Sequence, residues 1–278
     1  MFVTGANGFI GRNTIAYLKE KEFDILAPDS KQLNLLNHES VKDFIEEHKP
    51  NYLLHFAWEV TPGKYLHNLN NYDWLKASEN LLYYFKKNNG QRVVVAGTCF
   101  EYFYDYPYPA SKKALLEVLK NMGISYAWGR IYYLFGEDEY SERLVPYLIN
   151  SFIEEKEVKC SSGEQVRDYM HVKDVARAFV EILDSNAQGI IDIGTGDGIK
   201  VKDIINLIAE KLNGQNLVKL GALNRTENEI ESIVANISKL TNEIGFIPQY
   251  TIEEGLEKVI EYGKMMYKMG EALNESKN

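Results

Sequence analysis

The chain opens with MFVTGANGFIGRNTIAYLKEK, residues 1–21, in which a short apolar run leads through a glycine-rich turn into an amphipathic stretch. The glycines stand at GxxGxxG spacing: Gly5, Gly8 and Gly11. The first permits a tight turn, the second lets the backbone approach a pyrophosphate, and the third allows the helix to pack closely. Exposed N–H groups at Phe9 and Ile10, where the helix starts, favour an anion. The stretch therefore predicts a strand, a turn and a helix that bind a dinucleotide.

Apolar runs suited to strands recur along the chain and alternate with amphipathic stretches whose apolar residues are three and four apart. The strand-like runs are MFVT at the start, FDILA at 23–27, NYLLHFA at 51–57, QRVVVAG at 91–97 and ISYAWGRIYYLFG at 124–136. This alternation indicates βαβ units, and so an α/β fold with a Rossmann-type doubly wound parallel sheet. Tight turns also use glycine for purely structural reasons, but the first turn of such a chain favours cofactor binding.

The later segments are more mixed and indicate a smaller C-terminal substrate-binding lobe. We expect an NAD(P)-binding domain over residues 1–137, with returning segments near 165–195, and a substrate-binding lobe mainly over residues 138–278. No long linker separates the two.

Composition and charge exclude several classes of protein. The 278 residues are 45% hydrophobic and carry a net charge of −9, without the clustered Lys and Arg that a nucleic-acid reader needs. Cys99 and Cys160 lack metal-site spacing, so we expect no metal site and no disulfide framework. We find no room for a signal peptide before the first motif and no apolar run of about 18 residues. A cytoplasmic protein without a membrane partner is therefore expected.

The choice between NAD and NADP depends on the end of the second predicted strand, LAPDSKQ. An acidic residue at this point often binds the ribose hydroxyls of NAD. Asp29 is the only acid within reach, whereas Ser30 and Lys31 suit the 2′-phosphate of NADP. Both cofactors remain open.

The segment EYFYDYPYPASKK, residues 101–113, contains four tyrosines at a spacing of two. Only Tyr108 has a lysine, Lys112, four residues later and so on the same helical face. A phenol has a free pKa of about 10, and a shift towards 7 needs about 4 kcal/mol, part of which a nearby ammonium group supplies. Tyr108 is therefore the candidate acid/base. We expect the other three tyrosines to line a loop, although YxxxK also occurs by chance on helices.

Thr98 ends the apolar run VVVAGT, ten residues before Tyr108. The carboxyl ends of strands are where doubly wound folds bind ligands. A hydroxyl at this point is suited to hydrogen-bond a substrate oxygen while Tyr108 transfers the proton.

Taken together, the motifs resemble the extended short-chain dehydrogenase/reductase family, which includes nucleotide-sugar epimerases, dehydratases and ketoreductases. The matching segments, in family order, are TGANGFIG, LLHFAW, Thr98, YPASK, GRIYYLFG, GEQVRDYMHVKDVARA and DIGTG. The resemblance implies a nicotinamide cofactor, with Tyr108 as acid/base and Lys112 stabilising it and holding the nicotinamide ribose. It further implies that Thr98 positions the sugar oxygen and that Ala57 lies beside the cofactor. A homodimer through helices around residues 65–88 and 108–122 is also implied.

The same resemblance suggests residues for the nucleotide-sugar substrate. Arg167 matches the position that meets the nucleotide diphosphate, and its structural alternative is an ion pair with an acid such as Asp168 or Asp174. Arg143 is a weaker match. Tyr133 stands where many members have an Asn that touches the substrate phosphates, and Asn37 replaces an Asp that usually meets the adenine.

The residues after Thr98 separate the reactions of the family. Sugar 4,6-dehydratases carry an Asp-Glu pair there, whereas this chain has Cys99 and Phe100. HFAWEVTPGKY and AGTCFEY resemble members that reduce 4-keto groups in deoxysugar biosynthesis. We therefore expect NAD(P)-dependent reduction of a 4-keto-6-deoxy sugar nucleotide. The alternatives are a 4-epimerase that retains NAD, a 4,6-dehydratase and a non-catalytic dinucleotide sensor.

Overall fold

A computed structural model describes residues 1–21, 23–225 and 229–275. Contacts between Cα atoms divide the chain into two compact units. The first unit holds Met1–Ile131, Val172–Ile193 and Asn236–Ile247. The second holds Tyr132–His171, Gly194–Ala235 and Pro248–Asn278. The predicted division into a cofactor-binding domain and a substrate-binding lobe stays a prediction.

The first unit is built on five parallel strands. In spatial order they are β1 (Phe2–Thr4), β2 (Tyr52–His55), β3 (Arg92–Thr98), β4 (Ser125–Ile131) and β9 (Gly189–Ile193). β3 is central and buried at every position, as expected of an apolar strand covered on both faces. The sheet confirms the predicted Rossmann-type parallel fold and brings the carboxyl ends of its strands to one edge.

Helices follow the strands as the alternation predicts. They are α1 (Phe9–Glu20), α2 (His38–His48), α3 (Asn71–Lys87), α4 (Pro107–Asn121), α6 (Val172–Asp184) and α8 (Ser238–Asn242). α1 packs on α6, while α3 packs on α2 and α4. Asn37 caps α2, because its side chain accepts a hydrogen bond from the N–H of Ser40 at 3.1 Å. This replacement for the family's Asp thus has a local structural role.

The prediction of a strand over residues 23–27 is wrong in extent. Only Leu26 pairs, through a bridge with Phe2 at the edge of the sheet. Its N–H donates to the carbonyl of Met1, and its carbonyl accepts from the N–H of Val3. Pro28 follows closely and has no N–H to donate, and Phe23 is 40% exposed. One bridge is therefore all that this edge segment forms.

The second unit packs three helices around its own apolar cluster, which includes Leu148, Ile205 and Ile260. The helices are α5 (Leu144–Ile153), α7 (Val201–Lys211) and α9 (Ile252–Glu275). Short strands form three small sheets: β5 (Tyr133–Phe135) with β8 (Tyr169–His171), β6 (Val158–Lys159) with β11 (Val218–Lys219), and β7 (Val166–Arg167) between β10 (Ile199–Lys200) and β12 (Ser232–Ile233). Within the described ranges, no helix combines the length and apolar character needed to cross a bilayer.

Candidate active site

The turn between β1 and α1 leaves no room for a Cβ at its first glycine or at the glycine of the first helical turn. Gly5 has a φ of +69°, and a Cβ there would lie 2.6 Å from the backbone N of Ala57. A Cβ on Gly11 would lie 2.1 Å from the carbonyl O of Gly5. α1 starts after Gly8, which has no side chain to cap it, and its first turn carries no acidic residue. The bare backbone and the first N–H groups of α1 therefore fit the pyrophosphate of a dinucleotide.

A buried chain of hydrogen bonds fixes this turn against β2, and sequence reasoning missed it. His55 Nδ1 lies 2.7 Å from Thr4 Oγ1, and its Nε2 lies 2.9 Å from Ser78 Oγ. Thr4 Oγ1 accepts from the N–H of Ala57, and Ser78 Oγ donates to the carbonyl of Trp74. Burial lowers the pKa of His55 to about 3, so the ring is neutral. The assigned tautomer carries its proton on Nε2 and accepts at Nδ1.

The loop after Leu26 uses Asp29 to shape itself. Asp29 Oδ1 accepts from the N–H groups of Lys31 and Gln32 at 2.8 and 2.9 Å. The Gln32 side chain in turn accepts from the N–H of Asp29. The carboxylate that would meet a ribose is thus held by its own turn, with Ser30 and Lys31 beside it on the loop.

Thr98 and Tyr108 come together at the carboxyl edge of the sheet. Thr98 is the last residue of β3, and Tyr108 lies in the first turn of α4, where its N–H donates to the carbonyl of Leu66 at 3.1 Å. The Thr98 side chain acts on the Tyr108 phenol and lowers its pKa. Tyr108 is 8% exposed, and the ring of Tyr65 packs edge-on against it at 4.8 Å. The structure thus joins the predicted pair.

The surroundings of Tyr108 hold it in the protonated form. Burial raises the pKa of its phenol, Tyr65 and Glu101 raise it further, and the Thr98 side chain opposes them. Burial therefore acts against the shift towards neutrality that the sequence suggested Lys112 would support.

Lys112 is buried beside this pair, 3% exposed. Its Nζ donates to the carbonyl of Ala96 at 2.8 Å and lies 3.9 Å from the ring centroid of Trp58. Burial lowers the pKa of Lys112 to about 7, and the charge of Glu101 opposes that shift. Trp58 is itself fixed, because its indole N–H donates to Asn71 Oδ1 at 2.7 Å. The position of Trp58 over the lysine was not apparent from the sequence.

The buried carboxylate of Glu101 is a second feature that sequence reasoning missed. Residues 99–102 form a turn of 3₁₀ helix after β3, with Thr98 as its N-cap. Thr98 and Glu101 make a capping box, each side chain accepting from the other end of the turn. The spacing Thr-x-x-Glu is typical of a capping box, so the sequence did predict this arrangement.

Among the predicted substrate residues, Arg167 lies in the second unit and is 4% exposed. Its guanidinium donates to the carbonyls of Val166 and Ile230 at 2.8 and 2.9 Å, and pairs with Glu229 at 3.2 Å. The partner is therefore neither Asp168 nor Asp174, the acids that the sequence suggested. This happens because β7 and β12 pair in register, which brings residues more than sixty positions apart together.

The two suggested acids have other partners. Asp168 accepts from the N–H groups of Thr195, Gly196 and Ala235. Asp174 pairs with Arg177 at 3.0 Å. Both carboxylates thus stabilise local structure.

Tyr133 and Arg143 also belong to the second unit. The guanidinium of Arg167 lies 5.5 Å from the ring centroid of Tyr133. Arg143 precedes α5 as its N-cap residue and is half-buried. The described residues contain no group of three or more His, Cys, Asp or Glu side chains arranged to hold a metal ion.

Comparison with known proteins agrees with this geometry. CDP-abequose synthase from Salmonella muenchen is 26% identical over 167 residues, an alignment that covers 57% of each chain, so less than two thirds of that relative is spanned. GDP-6-deoxy-D-talose 4-dehydrogenase from Aggregatibacter actinomycetemcomitans is 26% identical, with 88% of this chain and 91% of the relative covered. The structure of UDP-glucose 4-epimerase from Thermotoga maritima has the same fold, with a TM-score of 0.85 at 20% identity over 96% of this chain and 99% of that one. Residues 1–194 match the NAD dependent epimerase/dehydratase family. The chain belongs to that family.

Proposed function

We propose that this protein reduces the 4-keto group of a nucleotide-linked 6-deoxy sugar with NADH or NADPH. The observation that carries the proposal is that Thr98, Tyr108 and Lys112 are all buried, with Thr98 at the carboxyl end of β3 and the other two on α4, in a sheet whose first strand leads into the glycine turn. Cys99 and Phe100 follow Thr98, and neither side chain offers the acid and base that elimination of water requires. The pair of Thr98 and Tyr108 therefore supports interconversion of a ketone and an alcohol. The absence of an acid and a base at positions 99 and 100 argues against dehydration.

The glycine turn and the first N–H groups of α1 would hold the cofactor's pyrophosphate, and Ala57 would border it. The bound cofactor supplies the hydride that reaches C4. The hydroxyl of Thr98 donates a hydrogen bond to the keto oxygen, which stabilises the negative charge that develops there. Tyr108 gives its proton to that oxygen. Lys112 in its charged form stabilises the phenolate that remains, until a proton from solvent restores the phenol.

A protonated phenol suits the first step of a reduction. A ketone substrate needs an acid beside its oxygen, and burial keeps Tyr108 protonated. An alcohol substrate would instead need a phenolate base at the first step. The name of the Aggregatibacter relative, a 4-dehydrogenase of GDP-6-deoxy-D-talose, puts this chemistry at the same carbon of a 6-deoxy sugar.

We further propose that Arg167, Arg143 and Tyr133 contact the nucleotide diphosphate. Guanidinium groups pair well with phosphate oxygens. Arg167 already faces the carboxylate of Glu229, which a phosphate would replace. Asp29, Ser30 and Lys31 remain the proposed determinants of NAD against NADP. The homodimer and the cytoplasmic location stay predictions.

The test is turnover of 4-keto-6-deoxy sugar nucleotides carrying CDP, GDP or dTDP, followed by the loss of NADH or NADPH absorbance. Tyr108→Phe should lower kcat by about 100-fold or more and leave NADH binding unchanged. Tyr106→Phe is the matched control, because Tyr106 is exposed and stacks on Tyr104 outside the pair.

Three results would overturn the proposal. Full activity of Tyr108→Phe would remove the assigned acid. Purified protein that carries NAD⁺, identified by mass spectrometry of released ligands, and that interconverts C4 epimers without consuming NADH would be an epimerase. Cofactor binding without turnover of any keto sugar would instead indicate a dinucleotide sensor.

A further inference from the structure

Glu101 is a buried carboxylate at the edge of the sheet, 3% exposed, with a hydrogen bond to the residue that carries the reacting hydroxyl. Its Oε1 accepts from the backbone N–H of Thr98 at 2.8 Å and from the indole N–H of Trp128 at 3.0 Å. Its Oε2 lies 3.2 Å from Arg130. We propose that Glu101 is a positioning residue that sets the direction of the Thr98 hydroxyl; this rests on the proposed function.

The hydrogen bond to the Thr98 backbone limits where the Thr98 side chain points. Thr98 has an extended backbone, with φ −144° and ψ 143°, at the point where β3 turns into the 3₁₀ helix. Its Oγ accepts from the N–H of Phe100 at 3.3 Å. One lone pair is thus occupied inside the turn, and the same side chain acts on the Tyr108 phenol, whose pKa it lowers. Glu101 closes the same turn from the opposite end and keeps this arrangement rigid.

The absence of a side chain at Gly97 of β3 leaves space for the partners of this carboxylate. A Cβ on Gly97 would lie 2.0 Å from Trp128 Nε1. Glycine at this position therefore allows the indole N–H to reach Glu101. Trp128 is fully buried on β4, the strand paired with β3, so the donor cannot move away.

A second layer neutralises the charge. Arg130 pairs with Glu101 on one side and with Asp192 of β9 at 3.2 Å on the other. The ring of Tyr102 covers its guanidinium at 3.9 Å, and the Tyr102 hydroxyl accepts from it. The carboxylate is thus held by β3, β4 and the turn, and β9 contacts its partner Arg130. A buried ion pair of this kind favours one fixed arrangement over alternatives.

The charge of Glu101 also reaches the proton-transfer residues on α4. It raises the pKa of Lys112 and the pKa of Tyr108, in each case as a contribution smaller than burial. The titratable or charged groups that face Glu101 are Arg130 from β4 and Tyr108 and Lys112 from α4, with Tyr102 and Asp192 behind Arg130. Removing the charge should therefore lower the pKa of Lys112.

Two substitutions separate the effect of the length of the Glu101 side chain from the effect of its charge. Glu101→Asp keeps the charge but withdraws the carboxylate by about 1.5 Å, so it cannot meet both Thr98 and Arg130. We expect kcat to fall by about 10- to 100-fold, because a small misplacement of a reacting group has an effect of this size. KM should change little, and the alkaline limb of the plot of kcat against pH should not shift. Glu101→Gln keeps an acceptor for Thr98 but removes the charge. We expect a smaller loss of kcat and an alkaline limb moved to lower pH, because protonated Lys112 is lost earlier.

The control is Glu117→Gln, an exposed α4 carboxylate that pairs only at the surface with Lys120, and it should leave kcat and the pH profile unchanged. The positioning role would be overturned if Glu101→Asp had the kcat of wild type per folded molecule. It would also be overturned if both variants differed from wild type only in thermal stability. If the wild type reduces no keto sugar, the proposed function fails, and the pH dependence of NADH affinity is compared instead. In that case, an alkaline limb of NADH affinity that is the same in wild type and Glu101→Gln would overturn the role of Glu101.

Discussion

Replacing Lys112 by Met should remove the cost of a buried charge, so the stability of the variant relative to wild type should decrease as the pH rises. The lysine is 3% exposed, and burial lowers its pKa to about 7, whereas in the unfolded chain its pKa returns to about 10.4. Between these two pKa values the unfolded state binds more protons than the folded state. The stability of the wild type therefore rises with pH in that window, and below about pH 7 the cost of the buried charge is present in full.

The size of this effect follows from the shift. Each pH unit well inside the window is worth about 1.4 kcal/mol and less at its ends, so between about pH 7 and about pH 9 the wild type gains about 2 kcal/mol that the Lys112→Met variant does not. Methionine also loses the contact with Trp58 and the hydrogen bond to Ala96. Those losses change the absolute difference between the proteins, whereas its change with pH isolates the proton on Lys112.

The measurement is urea unfolding at about pH 6.5 and about pH 9, followed by tryptophan fluorescence. All three tryptophans, at positions 58, 74 and 128, lie in the first unit, which also contains Lys112. The control is Lys113→Met, since Lys113 is the adjacent residue and its side chain is 52% exposed. Its difference from wild type should be the same at both pH values. For Lys112→Met, the difference in unfolding free energy from wild type should depend on pH. If it were the same at both pH values, burial would not set the protonation state of Lys112.

Three further substitutions test the backbone around the site. Gly97→Ala should lower the free energy of unfolding by about 1–3 kcal/mol, because its Cβ would lie 2.0 Å from the indole of Trp128; an unchanged melting temperature would contradict this. Gly11→Ala should weaken NADH binding by at least about 10-fold, since its Cβ would meet the Gly5 carbonyl at 2.1 Å; a fluorescence titration with wild-type affinity would disprove it. Asp29→Ala should shift the ratio of NADH to NADPH affinity towards NADPH, because it removes the carboxylate that favours a ribose hydroxyl; equal ratios in wild type and variant would show that Asp29 does not discriminate.

The parts of the fold that could be predicted depend on local patterns. The strand, turn and helix of residues 1–21 follow from glycine spacing and apolar periodicity, and the sheet confirms them. The position of Thr98 at a strand end and the four-residue spacing from Tyr108 to Lys112 are also local. The structure adds that the glycine turn and Thr98 follow parallel strands of one sheet, so both lie at the carboxyl ends of its strands. β3, which carries Thr98, is the central strand.

The parts that could not be predicted depend on register and on pairing over long distances. The strand over residues 23–27 reduces to a bridge at Leu26, because Pro28 follows it without an N–H to donate. Arg167 selects Glu229 through the pairing of β7 with β12, which no local pattern reveals. His55 binds Thr4 and Ser78 across three elements. Glu101 was the exception, since the Thr-x-x-Glu spacing gave a local signal, but only the structure shows Arg130 and Trp128 around it.

The electrostatics of the site explain why residue identity alone does not separate a reductase from an epimerase. In the proposed mechanism, Thr98, Tyr108 and Lys112 would serve either direction of proton transfer, and the electrostatic field around them would decide which direction is favoured. In the protein by itself, burial and Glu101 hold the phenol protonated. A reduced nicotinamide is neutral and leaves that state unchanged, whereas an oxidised one carries a positive charge that lowers the pKa of a nearby phenol. A site that exchanges its cofactor and admits the reduced form therefore acts first as an acid, and one that retains the oxidised form acts first as a base. If the proposed site is correct, cofactor residence, and not the set of proposed catalytic side chains, is the property that would separate a reductase from an epimerase.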